Sequence, residues 1–572
     1  MERSGGLFPF RLAWLIPAMA ALTILLGVWG WSTHHLPFDE SLYRSIALFD
    51  IDGNAYSNGE PLADWRFRIG RWTGAAVVFS SLLALAALLH EHLVTALARW
   101  TKQSVVVVGS DPLALAGFEA ACRQRRGALW LGAPAFGASA FTDIALAWPP
   151  RDRARSVFDH ARGADHVLVA HDHDAEALSL ARAARAAAPT AYVTVLMRDV
   201  RLAEDAAVTL NDPHTRVLSA AAVAARALAV AHPPFLVAKD RGHARIHALI
   251  VGFGQTGLAI ARDLIVNCRT TYLDRPRITV IDPQAKALEG VLRVRAPELD
   301  HCADAAFIDG EISGRAVRPG PKAIAADLAA GGPITVAYVC LSDDEAALSA
   351  AATLQSLLRA VDIDQPPVFV RLREASVVAA DGSGHGLDAL TPFGDLDSVL
   401  AASAFLSNAP DATARAFSEA YRASLPAAQR DDPENRSAFP WDRLDETYRQ
   451  INRDGVAHIA AKLASVGIDP ARWRGVAAIP KLAPGERLFH GQTDLERLAI
   501  LEHERWNAQR RMDGWRWADA PAKDETRKLH PYLKGYDALT EQVKEYDRVV
   551  VRATQDAVAS DPDRAADGPP PV

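Results

Sequence analysis

The stretch Ala244–Ile265, ARIHALIVGFGQTGLAIARDLI, decides the fold. An apolar run ends at Val251, glycines follow at 252, 254 and 257, and apolar residues then recur at helical spacing. In a strand–turn–helix of this kind each glycine has its own task. The first permits the tight turn, the second lets backbone approach a pyrophosphate, and the third lets helix pack on strand. Phosphates would face free N–H groups and the positive end of the helix dipole. The next apolar run, RITVIDPQ, reaches Asp282, 25 residues beyond Gly257. A carboxylate there accepts hydrogen bonds from ribose hydroxyls and disfavours a 2′-phosphate. This order predicts a nucleotide crevice formed by Gly252, Phe253, Gly254, Gln255, Thr256, Gly257 and Asp282. It fits equally a sheet domain of the same kind with an empty crevice.

Further along come AAFIDGE, PITVAYVCLSDDEAALSAAATLQSLL and PVFVRLRE, an alternation of strand and Ala-rich helix. The same order stands upstream in SVVVVGS (104–110), GALWLG, ADHVLVAHDHDAEALSLARAARAAAP and AYVTVLMRD. Val-, Leu- and Ala-rich runs in this alternation predict an α/β fold with tandem doubly wound parallel sheets of Rossmann type, over 103–240 and 244–405. The first copy is degenerate. Gly109-Ser-Asp-Pro-Leu-Ala114 lacks the second and third glycines, and Asp111 puts a negative charge where phosphates would sit. That half reads as a structural or dimerising copy.

The N-terminal region, 1–100, is of another kind. Leu12–Trp31 carries no charge, and Thr73–Leu89 is a second apolar run. About 20 apolar residues suffice to cross the hydrocarbon core as a helix. Two transmembrane helices are expected, with a re-entrant or outer loop over 32–72. The bland alternative for the first run is a cleaved signal peptide. Two spans leave both chain ends on one side, and the nucleotide-type domains put that side in the cytoplasm of a multi-pass protein of the inner (plasma) membrane. Within the loop, LFDIDGN (48–54) resembles the nucleophile motif of haloacid-dehalogenase-type phosphatases, but a loop between spans cannot hold the parallel sheet that motif requires.

The formal charge of −7 gives no global electrostatic case for nucleic acid as a partner. The four cysteines are scattered without a C-x-x-C pair, so neither a metal site nor a disulfide framework is indicated. The stretch 406–440 reads as a helix followed by an exposed linker. A compact, mainly α unit is expected over 441–555, and a disordered tail over 556–572.

Two family resemblances follow. LIVGFGQTG, VIDPQ, ADHVLVAHDHDAEALSLARAA and VLMRD, placed after two apolar spans, resemble the TrkA-N or RCK domains that regulate potassium channels and transporters. The resemblance implies NAD(H) or an adenine nucleotide (ATP or ADP) as ligand. It also implies ligand-driven movement coupled to the membrane part, a homo-oligomer taken as a tetramer, and a sensor rather than an enzyme. In two-span channels the intervening loop carries a short helix and a filter, and Glu40–Phe49 suits that helix. The filter Thr-Val-Gly-Tyr-Gly is absent. Around a pore, Asp50 and Asp52 would form carboxylate rings that favour cations; an outer hairpin with no ion path fits the same residues.

His503-Glu-Arg-Trp-Asn507, Asp513-Gly-Trp-Arg516, His530-Pro531 and Lys544-Glu-Tyr-Asp547, with Tyr448, Asn452 and Arg453 upstream, resemble the ryanodine-receptor repeat (RyR) domain. His503, Trp506, Asn507 and Arg510 share one helix face by spacing. They suit a site that stacks on a ring and binds polar edges, with Arg453, Arg505, Trp515 and Arg516 nearby. An internal polar network fits the same face. The two resemblances together imply a nucleotide-sensing, ligand-gated membrane protein of cation-channel type. The alternative is a signalling or defence receptor that senses a nucleotide-like ligand and perturbs the membrane.

Overall fold

The computed structural model describes residues 8–49, 64–100, 104–124, 127–133, 137–138, 143–147, 153–361, 363–374, 389–469 and 481–559. The chain divides into two compact units, residues 1–101 with 136–138, and the rest.

In the first unit, helix α1 (Phe8–Ser32) runs through Pro17, α2 (Phe38–Ile46) leads into a 3-10 turn at Ala47–Phe49, and α3 spans Trp65–Trp100. At about 1.5 Å per residue, α1 and α3 each exceed the roughly 30 Å of a hydrocarbon core. These helices meet through small residues. A Cβ on Gly27 would stand 2.7 Å from Ser45 Cβ, one on Gly30 2.6 Å from the Phe67 ring, and one on Gly74 2.4 Å from the Leu48 carbonyl oxygen. The hydroxyls of Thr23 and Thr73 lie 2.7 Å apart. Thr23, Ser41 and Ser45 are fully buried, whereas Leu25, Phe79, Leu82 and Leu83 are more than half exposed. The buried hydroxyls stand beside a small apolar core of Trp31, Leu48 and Phe67, while several large apolar side chains face outward. Close approach through Gly, Ser and Thr is how helices associate when their solvent is lipid. Asp50 and Asp52 lie outside the described residues.

The second unit opens with a parallel sheet. Its six longer strands are β1 (Val105–Val108), β2 (Ala128–Ala133), β3 (Ile144–Ala147), β4 (His166–Ala170), β5 (Tyr192–Met197) and β6 (Thr215–Ser219). They lie parallel in the order β3-β2-β1-β4-β5-β6. The helices that matter here are α4 (Pro112–Arg123), α5 (Arg153–His160), α6 (Asp174–Ala187), α7 (Val200–Leu210), α8 (Ala220–Ala231) and α9 (Pro234–Asp240).

A six-stranded sheet follows, of β7 (Arg245–Val251), β8 (Asp274–Asp282), β9 (Asp304–Asp309), β10 (Val336–Val339), β11 (Val368–Arg371) and β12 (Leu390–Phe393). These too are parallel, in the order β9-β8-β7-β10-β11-β12. Its helices are α10 (Gln255–Asn267), α11 (Ala285–Arg295), α12 (Pro321–Ala330), α13 (Asp344–Ala360) and α14 (Leu396–Ser403). Both sheets therefore repeat one strand order, and each has its switch point beside its first strand, where ligands bind in doubly wound folds. Central strands such as Val105–Val108 are buried along their whole length, which is why they read as continuous β-branched runs.

Among the described residues, Ala220–Asp240 has the length and apolarity of a membrane span, and Ile16–Ser32 is a shorter apolar helix. The former is interrupted between α8 and α9, and α8 packs against α10 and α14. Its apolarity is that of a core element joining the two sheets.

The C-terminal part comprises α15 (Ala412–Ser424), α16 (Glu446–Ala457), α17 (Ile459–Ser465), α18 (Gln492–Met512) and α19 (Glu541–Val558). Within 406–440, expected to be a helix followed by an exposed linker, the helix is α15 and 426–434 are mostly exposed; what the sequence did not show is that the helix packs into the module. Phe417 on α15 joins Ile459, Leu463, Leu498 and Val551 in one core, and α15 lies against α16 and α19. The Pro- and Asp-rich composition masked this, because the buried positions are few and spaced along one helix. Of the expected tail, 556–558 belong to α19 and 560–572 lie outside the described residues.

Candidate functional site

Gly252 has φ +87°, and a Cβ there would stand 3.3 Å from the Cys340 carbonyl oxygen and 2.8 Å from Leu341 Cδ2. A Cβ on Gly257 would come within 2.4 Å of the Gly252 carbonyl oxygen. Both glycines are thus required by the protein's own packing. Gly254 is not: its φ is −73°, and a Cβ there meets nothing within 4 Å. Phe253 tucks its ring edge-on to Phe307, and its amide donates to Asp282 Oδ2 at 2.8 Å. Asp282 Oδ1 accepts from the Gln284 amide. Asp282 therefore braces the turn. Gln255 reaches across to the first sheet domain: its side-chain oxygen accepts from the Val200 amide at 2.8 Å and its nitrogen donates to Asp199 Oδ2 at 2.9 Å. Thr256 is the second residue of α10. The loop residues and Asp282 stand together at the switch point.

The first sheet domain supplies an internal comparison. Gly109, φ +130°, occupies the place of Gly252, its missing Cβ pressed against the Ala170 carbonyl. Two residues on, Asp111 stands where the second domain has Gly254. Asp111 Oδ1 caps α4 through the Leu113 amide, and Oδ2 accepts from Arg198 Nη2 at 2.8 Å. Arg198 Nη2 also donates to Asp172 Oδ1 at 2.5 Å, and its amide donates to Asp174. Asp111 beside it holds the Arg198 guanidinium pKa above its ordinary value. That crevice is filled by the chain's own carboxylates and guanidinium.

In the second domain the counterpart of Arg198 is Arg373, whose amide donates to Asp344 as that of Arg198 does to Asp174. Arg371 and Arg373 both donate to the Ser342 carbonyl, at 3.1 and 3.2 Å. Burial, and then the neighbouring Arg373, lower the Arg371 pKa. No carboxylate takes the Asp111 position. Neither arginine was among the sequence candidates; the signal was VFVRLRE set against VTVLMRD in the first copy.

In the C-terminal module the candidates on α18 divide. His503 Nδ1 lies 3.1 Å from Asp547 Oδ2, and its Nε2 lies 2.9 Å from the Lys534 carbonyl. Burial opposes charging this ring, but Asp547 outweighs it and the His503 pKa is raised. Asn507 donates to the same Lys534 carbonyl at 3.1 Å. Arg505 is buried and donates to Glu502 and Gln509. Lys462 and His458 face Glu502 as well. These groups form an internal polar network rather than an open ligand face. Arg453 is spent on Asp411 and Glu446, and Asn452 donates to the Tyr448 carbonyl within its own helix.

Arg510 is different. It is 2% exposed. Its guanidinium lies 4.9 Å from the Trp515 ring centre, 5.6 Å from Tyr448 and 5.9 Å from Trp506. His530 completes the aromatic wall against Trp506 and Trp515, and burial followed by Arg510 pushes its pKa down to about 3. Arg516 is exposed on the short strand after Trp515. Burial lowers the Arg510 pKa, only partly opposed by Asp513, by Tyr448 and by Glu525.

Helix α7 connects these places. Its N-terminal end carries the Gln255 contacts. Its C-cap, Asn211 with φ +41°, accepts at Oδ1 from the Glu446 amide and from Arg449 Nη2, both at 2.9 Å. The module is fixed to the second sheet domain by Arg511–Glu298 at 2.9 Å and Arg262–Asp513 at 2.7 Å.

The RyR domain family matches residues 490–559, the segment holding α18, the aromatic wall and α19. No curated protein matches the chain. Among solved structures, one described as "Crystal structure of the GsuK bound to ADP" is 14% identical with a TM-score of 0.34, covering 70% of this chain and 98% of its own. "GsuK Channel" is 14% identical with a TM-score of 0.35, covering 70% and 97%. "GsuK channel bound to NAD" is 14% identical with a TM-score of 0.34, covering 73% and 87%.

Proposed function

We propose that this chain is a membrane-anchored, nucleotide-sensing receptor of cation-channel type, acting as a homo-oligomer and not as an enzyme. The observation that carries the sensing role is the contrast between the two switch points. One holds Asp111 against Arg198; the other has Gly254, which no packing of the protein requires, in the aspartate's place, while Arg371 and Arg373 donate to the Ser342 carbonyl and Asp344 stands 4.0 Å from Arg371. A pyrophosphate at the N-terminus of α10 supplies that missing negative charge. NAD(H), ADP and ATP are the ligands the sequence suggests. Anchoring is supported by the hairpin of α1 and α3, with its buried hydroxyls and exposed leucines. Both chain ends then lie on the cytoplasmic face of the inner membrane, and cations are the permeant species. Ligand biases the hairpin only to the extent that it binds one arrangement of the cytoplasmic domains better than another.

The test is calorimetric titration of ADP and NAD+ into detergent-solubilised protein. Gly254→Arg is expected to abolish binding at the loop; undiminished binding of every nucleotide in that variant removes the loop from the site. Planar-bilayer recording with the nucleotide that binds then separates a gated, cation-selective current from the second reading. That reading, unselective leakage, is favoured by the absence of a Thr-Val-Gly-Tyr-Gly filter.

A further inference from the structure

A cleft of about 2040 Å³ is lined by α7 residues, including Val200, Ala203 and Ala207, and by Tyr448, Arg510 and Trp515 of the C-terminal module. Arg516 and Arg527 line it as well. Most of the charges here cancel in pairs: Arg453 with Asp411 and Glu446, Arg226 with Asp263, Arg436 with Asp445 and Glu525. Three do not. Arg510 Nε and Nη1 are buried with no hydrogen-bond partner. Among the described residues, no carboxylate lies within ion-pair distance of Arg510, Arg516 or Arg527.

A buried cation without a counter-charge costs stability, which the surrounding rings offset only in part. The rest of the module neutralises its buried charges carefully, as the Glu502 network shows. The exception therefore points to an anion that arrives from outside. Guanidinium groups match phosphate oxygens in pairs, and the flat faces of Tyr448 and Trp515 beside them suit a stacked base. We propose that this cleft is a second binding site, separate from the glycine loop, for a nucleotide-type polyanion. Its phosphates meet Arg510, Arg516 and Arg527, and its base lies on the Tyr448–Trp515 wall. Because the lining comes from both sheet domains and from the C-terminal module, the occupant ties them together.

The experiment uses full-length Gly254→Arg protein in detergent, titrated calorimetrically with ADP, NAD+ and cyclic di-AMP. At least one probe is expected to bind with about one equivalent per chain, changing tryptophan fluorescence and weakening as salt rises. In that background Arg510→Gln is expected to weaken binding by roughly tenfold or more, as loss of a charged hydrogen-bond partner does. Its thermal midpoint without ligand should be equal or higher, because an uncompensated charge has gone. Arg516→Ser and Arg527→Ser, at the surface, should each weaken binding severalfold with no change in midpoint. The proposal is overturned if none of the three probes binds the Gly254→Arg protein, or if binding ignores all three substitutions. It also falls if Arg510→Gln lowers the midpoint and loses binding only in proportion to unfolded protein. Loss of all binding on Gly254→Arg alone would leave the loop reading standing and end this one.

Discussion

Residue 254 shows how much a single side chain settles. The two sheet domains superpose in logic down to individual hydrogen bonds: Asp174 receives the Arg198 amide as Asp344 receives that of Arg373. Against that shared frame, aspartate in one copy and glycine in the other becomes a chemical alternative. Gly254→Asp should transplant the Asp111–Arg198 pair onto Arg373. The expected result is a loss of ADP or NAD+ affinity at the loop of at least about tenfold, from like-charge repulsion and a filled crevice. The thermal midpoint should not fall, since the residue's φ of −73° is open to any L residue; calorimetry and thermal scanning on one preparation read both. At this scale the sequence was informative where a residue type has one physical reason to be present, as with Gly252 and Gly257. It was silent where the partner decides. His503 and Asn507 share one helix face by spacing and Arg505 lies off it, but Asp547, Glu502 and the Lys534 carbonyl, which claim them, are distant in sequence or of unremarkable type.

Helices and strands were legible to different degrees. The continuous apolar runs of β1 and β7 and the duplicated order of elements announced two parallel sheets, because burial on both faces leaves no other composition. The short helix expected at Glu40–Phe49 appears as α2 and its 3-10 turn. The helix over 412–424 was seen, but not that it packs, since Ala414, Phe417 and Ser418 are a sparse buried set. Two outcomes belong to this scale. Asn211→Ala places an L side chain with no compensating hydrogen bonds at φ +41° and frees the Glu446 amide and Arg449. It should destabilise the second unit by about 1–3 kcal/mol, read by chemical denaturation. Gly74→Leu must push α3 away from the Leu48 carbonyl. It should disrupt the hairpin, measured as loss of disulfide cross-linking between cysteines introduced at Thr23 and Thr73, while the proposed nucleotide binding by the second unit stays at the parent value.

For the whole molecule, acid response follows from its buried imidazoles. Burial depresses His247 and His458 to about 4 and His530 to about 3. All three are neutral when folded, while an unfolded histidine titrates near 6.5. Below that value the unfolded chain binds protons that the folded chain refuses, so stability falls as pH drops from about 6.5 toward 4, by about 2 kcal/mol per histidine at pH 5. His503 runs the other way: its raised pKa contributes stability that is complete below about 6.5 and is lost as pH rises through the folded value. The majority sets the sign, so the denaturation midpoint should decline between pH 7 and 5. His458→Gln, which keeps a donor for the Arg269 carbonyl, should flatten that decline. A pH-independent midpoint would show these rings to be accessible to water.

Helix α7 is held at one tip by Gln255 and at the other by the loop-facing end of α16, with only 11 residues between. A rod so short and doubly pinned cannot shift at one tip without the other noticing. For ligands at the proposed loop and cleft, thermodynamic reciprocity follows: whatever factor the first lends or denies the second in affinity, the second must return in full.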